Sequence, residues 1–133
     1  NGQKGESAWL FDSQEFLSTH RIIEEYNIWK NLLETKLQGK VSTPDDGVKN
    51  DWWNVNWIRF TSDGCGDHYC LDLSPTQTGT KGQVITLWYE SDEREIVSQS
   101  FSLWFIEYIE QLYSGELVYS QEYNSIVHKD ELE

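Results

Sequence analysis

Two overlapping clusters in the middle of the chain hold residue types that do chemistry. Cys65, His68 and Cys70 are all zinc-ligand types. A structural zinc site takes four ligands at recognised spacings, however, and there is no second cysteine pair, while His20 and His128 are remote in sequence. The spacing therefore predicts no metal and no cofactor, and His68 and Cys70 read as residues packed on one strand face. Asp63, Asp67, His68 and Asp72 form the second cluster, beside Gly64 and Gly66. A hydrolase could use one carboxylate as general base with His68 as its partner. A calcium loop is excluded by the 63, 67, 72 spacing, which lacks the regular early placement and the bidentate Glu at position 12. No nucleophile sits nearby in a recognised turn, and Gly64-Cys65-Gly66 lacks the Lys and Ser/Thr of a phosphate loop. Short carboxylates beside glycines accept hydrogen bonds from the turn's own amides. On that ground no catalytic residue is assigned. A small hydrolase or metal-dependent enzyme built on Asp67, His68 and Asp72 stands as the alternative of another class.

Aromatic and acidic residues supply the remaining candidates. Trp57 and Trp88 read as core. Trp52 and Trp53 are adjacent and point to opposite faces if extended, which leaves one of them for solvent; Trp53 is the expected interface anchor. Glu90, Asp92, Glu93 and Glu95 surround a single Arg94, and Asp45, Asp46 and Asp51 load an earlier loop. Each of these is singly a solvated side chain. Together they form a surface that a basic protein partner would relieve.

The chain's balance points the same way. It has 133 residues, 10 Lys+Arg against 23 Asp+Glu, and a formal net charge of -13. Clustered cations are what phosphate contacts need, so nucleic acid is excluded as a partner and an anionic membrane is repelled. No window of 18 apolar residues spans a bilayer. The 14% aromatic content argues against disorder. Two cysteines are too few for a disulfide scaffold, so the cytoplasm is the expected location. Lys129-Asp130-Glu131-Leu132 is not an ER-retention signal with Glu133 after it.

The elements that must position these residues follow from periodicity. Ser18 caps a helix whose apolar face is Ile22, Tyr26, Trp29, Leu33 and Leu37, with Gly39 at its stop. Residues 40–51 form a polar connector, and residues 52–60 an aromatic strand. His68 to Leu73 alternates, with Tyr69, Leu71 and Leu73 on one face and His68, Cys70 and Asp72 on the other. Gln83 to Tyr89 and Ile96 to Gln99 are further strands, with a charged turn between them. Ser100 caps a second helix with Phe101, Trp104, Phe105, Tyr108, Ile109 and Leu112 on its apolar side, ending at Gly115, after which a tail follows. Strands in the middle and helices around them predict an α+β class with a mainly antiparallel central sheet, in one domain over residues 1–133.

The segment Trp57-Ile58-Arg59-Phe60, then Asp63-Gly64-Cys65-Gly66-Asp67-His68-Tyr69-Cys70-Leu71-Asp72-Leu73-Ser74-Pro75, then Gly79 and Gly82-Gln83-Val84-Ile85, resembles the SUKH superfamily, named after fungal cell-wall-assembly regulators of the Smi and Knr type. Ser100-Phe101 opening a helix that ends at Gly115, Trp52-Trp53, the first helix and Asn1-Gly2 extend the resemblance over nearly the whole chain. Arg59 departs from it, since members often carry Pro there. The resemblance implies an α+β fold, a helical segment preceding Asn1, and no established catalytic residues. It also implies that Trp57, Asp63, Gly64, Gly66, Asp72, Pro75, Gly79 and Gly82 set the fold. Bacterial members are regarded as immunity proteins that neutralise polymorphic toxins, and fungal members as regulatory scaffolds. The function expected is thus a non-enzymatic binding protein that masks a basic toxin domain through Trp53, Glu90, Asp92, Glu93 and Glu95. A regulatory scaffold is the alternative.

Overall fold

The computed structural model describes residue 2, residues 9–11 and residues 14–132. The expected opening turn, Asn1 to Gly5, lies outside the described residues except for Gly2. In chain order the elements are β1 (Glu15–Phe16), α1 (Thr19–Thr35), β2 (Thr43–Pro44), β3 (Trp57–Arg59), β4 (Thr61–Ser62), β5 (His68–Asp72), β6 (Gln83–Leu87), β7 (Glu93–Arg94), β8 (Ile96–Ser98), α2 (Phe101–Ser114), β9 (Leu117–Ser120) and β10 (Ser125–His128), with a 3-10 turn over Lys129–Leu132. None of the described helices is long and apolar enough to cross a membrane. The class is α+β, as the periodicity predicts.

The four-stranded sheet runs β3-β5-β6-β8 with antiparallel neighbours. Register places Trp57 opposite Asp72, Arg59 opposite Cys70 and Cys70 opposite Ile85. These residues therefore share one face, because side chains alternate along a strand. That face meets α1. Val48, Trp53, Trp57, Cys70, Ile85 and Leu87 are buried there, and Tyr26, Trp29 and Leu33 of α1 pack against them. Burying one such indole removes on the order of 200 Å² from water, which contributes on the order of 5 kcal/mol of transfer free energy. The opposite face is covered by α2, whose Trp104 ring sits 5.5 Å from Tyr69 and 5.1 Å from Phe60, centroid to centroid. With helices on both faces, all five residues of β6 are buried.

Both helices carry the N-caps that the sequence announces. Ser18 Oγ accepts the amide of Arg21, and Ser100 Oγ accepts that of Leu103. Gly115 ends α2 at φ 83°, a left-handed conformation that glycine takes without steric cost. Three expectations change. The strand over residues 52–60 is confined to Trp57–Arg59, and Trp52 and Trp53 lie in a turn. The tail beyond Gly115 is a hairpin, with Ile126 opposite Tyr119 and Val127 opposite Val118. α1 ends at Thr35 with Lys36 as its C-cap, short of the stop expected at Gly39. On β5 the alternation holds, and the face with His68, Cys70 and Asp72 is the more deeply buried one.

Candidate functional site

The chemistry-bearing cluster is turned inward. His68 is 2% exposed and its Nδ1 lies 2.8 Å from the Thr61 carbonyl, which can only accept, so Nδ1 holds the proton. Burial, and after it the charge of Arg59, pushes the imidazole down to about 4. Asp72 is fully buried; its Oδ1 accepts the Ser74 amide at 2.9 Å and its Oδ2 the Gln83 side-chain amide at 2.9 Å. Gln83 donates also to the Gly47 carbonyl at 3.1 Å. Both groups are thus buried and engaged in hydrogen bonds within the fold. Cys70 is buried in the α1 face, and burial pushes its thiol up to about 12. Cys65 is exposed. Among the described residues no three His, Cys, Asp or Glu side chains converge to hold a metal ion.

The glycine-rich turn is closed by its first carboxylate. Asp63 Oδ1 accepts the amides of Cys65 at 2.7 Å and Asp67 at 3.0 Å. Asp67 Oδ1 in turn accepts the Tyr89 amide at 2.8 Å, tying this turn to the loop after β6. Gly66 is required there, because a Cβ would stand 2.9 Å from the Tyr89 ring. Pro75 and Gly79 pack on the 45–48 turn, where a Cβ on Gly79 would meet the Gly47 carbonyl oxygen at 2.2 Å. The Gly82 amide donates to the Asp72 carbonyl at 2.7 Å.

The acidic stretches meet. β2 pairs in parallel with β7, so Thr43 lies opposite Glu93 and Pro44 opposite Arg94. The Thr43 amide donates to the Asp92 carbonyl at 2.8 Å and that of Asp45 to the Arg94 carbonyl at 3.0 Å. Two loops far apart in sequence thereby form one edge carrying Asp45, Asp46, Asp92, Glu93 and Glu95, all exposed. Among the described residues none of these carboxylates, nor Glu90, lies within ion-pair distance of a cation. Arg94, the cation in their midst, points inward. It is 1% exposed, and its guanidinium donates to the carbonyls of Ser91, Glu93 and Trp52, each at 2.8 Å. Asp45 Oδ2 accepts the Ile96 amide at 2.9 Å and Asp46 Oδ1 the Thr78 hydroxyl at 3.0 Å. These neutral partners leave the negative charge of the edge without a paired cation among the described residues, the arrangement that draws in a basic surface.

Beside this edge lies a groove of about 870 Å³ whose lining includes Asp63, Asp67, Trp88, Tyr89 and Glu90. Trp53, expected as the aromatic anchor, is 1% exposed and belongs to the core under α1, its ring edge-on to Tyr26. It has no surface to offer. Trp52 is half-buried beneath Lys40 and Arg94. The solvent-facing aromatic in the lining of this groove is Tyr89, 61% exposed. Its position as the last residue of the apolar run 83–89, next to Glu90, was the available signal. Because β6 stops at Leu87, Tyr89 leaves the sheet and turns outward.

The model of the SMI1 / KNR4 family (SUKH-1) matches residues 1–107, and the chain belongs to that family. Its curated relatives are fungal. It is 23% identical over 135 residues to the cell wall biosynthesis/cell cycle regulator smi1 of Schizosaccharomyces pombe, which covers 92% of this chain and 27% of the relative. Over 74 residues it is 24% identical to the cell wall assembly regulator SMI1 of Saccharomyces cerevisiae, covering 56% of the chain and 15% of that protein. A KNR4/SMI1 homolog of Kluyveromyces lactis is 28% identical over 83 residues, covering 62% of the chain and 16% of the relative. The chain thus spans about a quarter or less of the length of these relatives.

Proposed function

We propose that this domain is a non-enzymatic protein-binding module whose acidic edge takes up a basic protein surface, and that the partner is a toxin domain which it masks as an immunity protein. The observation that carries the reading is the juxtaposition of Asp45, Asp46, Asp92, Glu93 and Glu95 along β2 and β7, exposed and without cations, while the one arginine among them is spent on backbone carbonyls. Like charges held together in the free protein are relieved when a basic surface docks, and their field speeds the encounter. The non-enzymatic part rests on His68 and Asp72, both buried and both occupied by structural hydrogen bonds. Tyr89, beside the edge, serves as the aromatic anchor of such an interface.

The test is the association rate with a candidate toxin domain, measured from about 0.02 to about 0.5 M salt. Steering predicts a fall of at least tenfold over that range, and a further fall for Glu93→Lys. A rate independent of salt overturns it. The names of the fungal relatives favour a second reading, a regulatory domain that binds cellular partners. Pull-down of the product of an adjacent toxin-bearing reading frame separates the two.

A further inference from the structure

A second concave site shares no lining residue with the groove beside the acidic edge. It is a cleft of about 460 Å³ between α2 and the β9–β10 hairpin, within the range of sites that hold small molecules. Its walls are mixed: Trp104 from α2, Leu117 from β9 and Ile126 from β10 supply apolar surface, and Tyr108, Gln111 and His128 add polar atoms. Its polar lining includes two carboxylates, Glu107 and Glu131, and, among the described residues, no Lys or Arg. The local sequence sharpens this bias: from Glu95 to His128 there is no Lys or Arg, while Glu107, Glu110, Glu116 and Glu122 all occur. A third lining group, His128, has its Nδ1 3.4 Å from an Asp130 carboxylate oxygen. The cleft's mouth is braced on the other side by the Tyr108 hydroxyl, which donates to the Leu10 carbonyl at 2.6 Å.

A cleft with apolar side chains on its walls and two exposed carboxylates in its lining favours one ligand chemistry. A neutral apolar molecule would fill the walls and leave the carboxylates unused, and an anion would be repelled by Glu107 and Glu131. An amphipathic organic cation satisfies both, with its hydrocarbon body against Leu117 and Ile126 and its ammonium group at the rim. We propose that this cleft is a binding site for a small amphipathic amine. The site stands independently of the toxin-binding reading, since it uses none of the same residues.

The probes are 4-phenylbutylamine and 4-phenylbutyrate, which share a body and differ in the sign of the head group. Titration is followed by nuclear magnetic resonance at the Trp104 indole and at the amides of Leu117 and Ile126. The amine is expected to shift these signals saturably and to bind at least about tenfold more tightly than the acid, as two nearby carboxylates require. The double variant Glu107→Gln with Glu131→Gln should abolish that preference while retaining the apolar component. Ile126→Trp, which fills the cavity, should remove binding of both probes; the charge pair of probes needs no variant and stands even if this one fails to fold. Equal binding of amine and acid, no binding of either, or shifts scattered outside the cleft overturn the proposal. A blocked Phe-Lys dipeptide binding tenfold or more tightly than the free amine overturns the small-molecule assignment in favour of a peptide.

Discussion

The guanidinium of Arg59 lies over the indole of Trp29, its central carbon 3.9 Å from the ring centroid and 5.8 Å from that of Trp53. A cation buried to 3% exposure beneath α1 is thus held by aromatic faces and, through Nη1, by the Glu25 carbonyl at 3.5 Å and Glu25 Oε2 at 3.7 Å, while Nε and Nη2 have no acceptor among the described residues. Burial pushes the guanidinium down to about 10. Charge here costs stability at neutral pH, and a hydrophobe of similar length removes that cost. Arg59→Met is therefore expected to leave the melting temperature unchanged or raise it, whereas Trp29→Ala lowers stability by about 2–4 kcal/mol through lost packing and an uncovered cation. Thermal melts of the two variants check this.

His68 gives the fold an acid limit. Its folded pKa of about 4 lies below the ordinary 6.5, so the unfolded chain binds the proton more readily between those values. Stability conferred by the neutral imidazole is complete above about pH 6.5 and is lost as pH falls toward 4, on the order of 3 kcal/mol in all. Urea midpoints measured from pH 7 to pH 4 should fall for the wild type and fall less for His68→Asn, which keeps a donor for Thr61. Identical slopes would show that carboxylates alone set the acid limit.

Two glycines should respond differently to alanine. At Gly79 the obstacle is steric, with a Cβ driven to 2.2 Å from the Gly47 carbonyl oxygen, and displacing that turn costs about 3 kcal/mol or more. At Gly64 the space is open and only the φ of 82° resists, a cost of about 1–2 kcal/mol. Chemical denaturation of Gly79→Ala and Gly64→Ala measures the difference.

The two cysteines should separate by access. Cys65 is exposed and Cys70 is fully buried with its thiol pushed up to about 12. A thiol reagent should modify one equivalent in the native protein and two in denaturant, and Cys65→Ser should remove the native reaction. Fast native modification of Cys70 would contradict the packing under α1.

Tyr89 takes the exposed aromatic place that the sequence suggests for Trp53, and Trp53 goes to the core in exchange. Tyr89→Ala should leave the melting temperature within about 1 °C and speed dissociation, weakening partner binding about tenfold or more. Trp53→Ala should cost about 3–5 kcal/mol of stability. Calorimetry and binding measured on both variants test the exchange.

Local signals were readable where a single side chain decides the outcome. Ser18, Ser100 and Gly115 set helix ends by their own hydrogen bonding and φ, and the helices fall where those residues stand. What depends on distant partners was not readable. Alternation on β5 shows two faces, but which is buried deeper depends on α1 supplying Trp29 and on Trp53 folding back beneath it. The hairpin Leu117–His128 has no Asn-Gly turn, and Asn124 at φ 47° supplies the left-handed residue instead. The acids of the edge were visible in composition; their convergence rests on the β2–β7 pairing, which no local pattern encodes.

That pairing also fixes where the molecule is least protected. β2 and β7 are two residues each and join segments 49 positions apart at the Thr43–Asp92 contact. Few hydrogen bonds there offset the entropy of closing so long a loop, so this edge opens at a lower free energy than the β5–β6 ladder. Amide deuterium uptake at Thr43 and Asp45 thus becomes a sensitive clock for occupancy of the edge: fast in the free protein, and slowed in proportion to the bound fraction of whatever docks there.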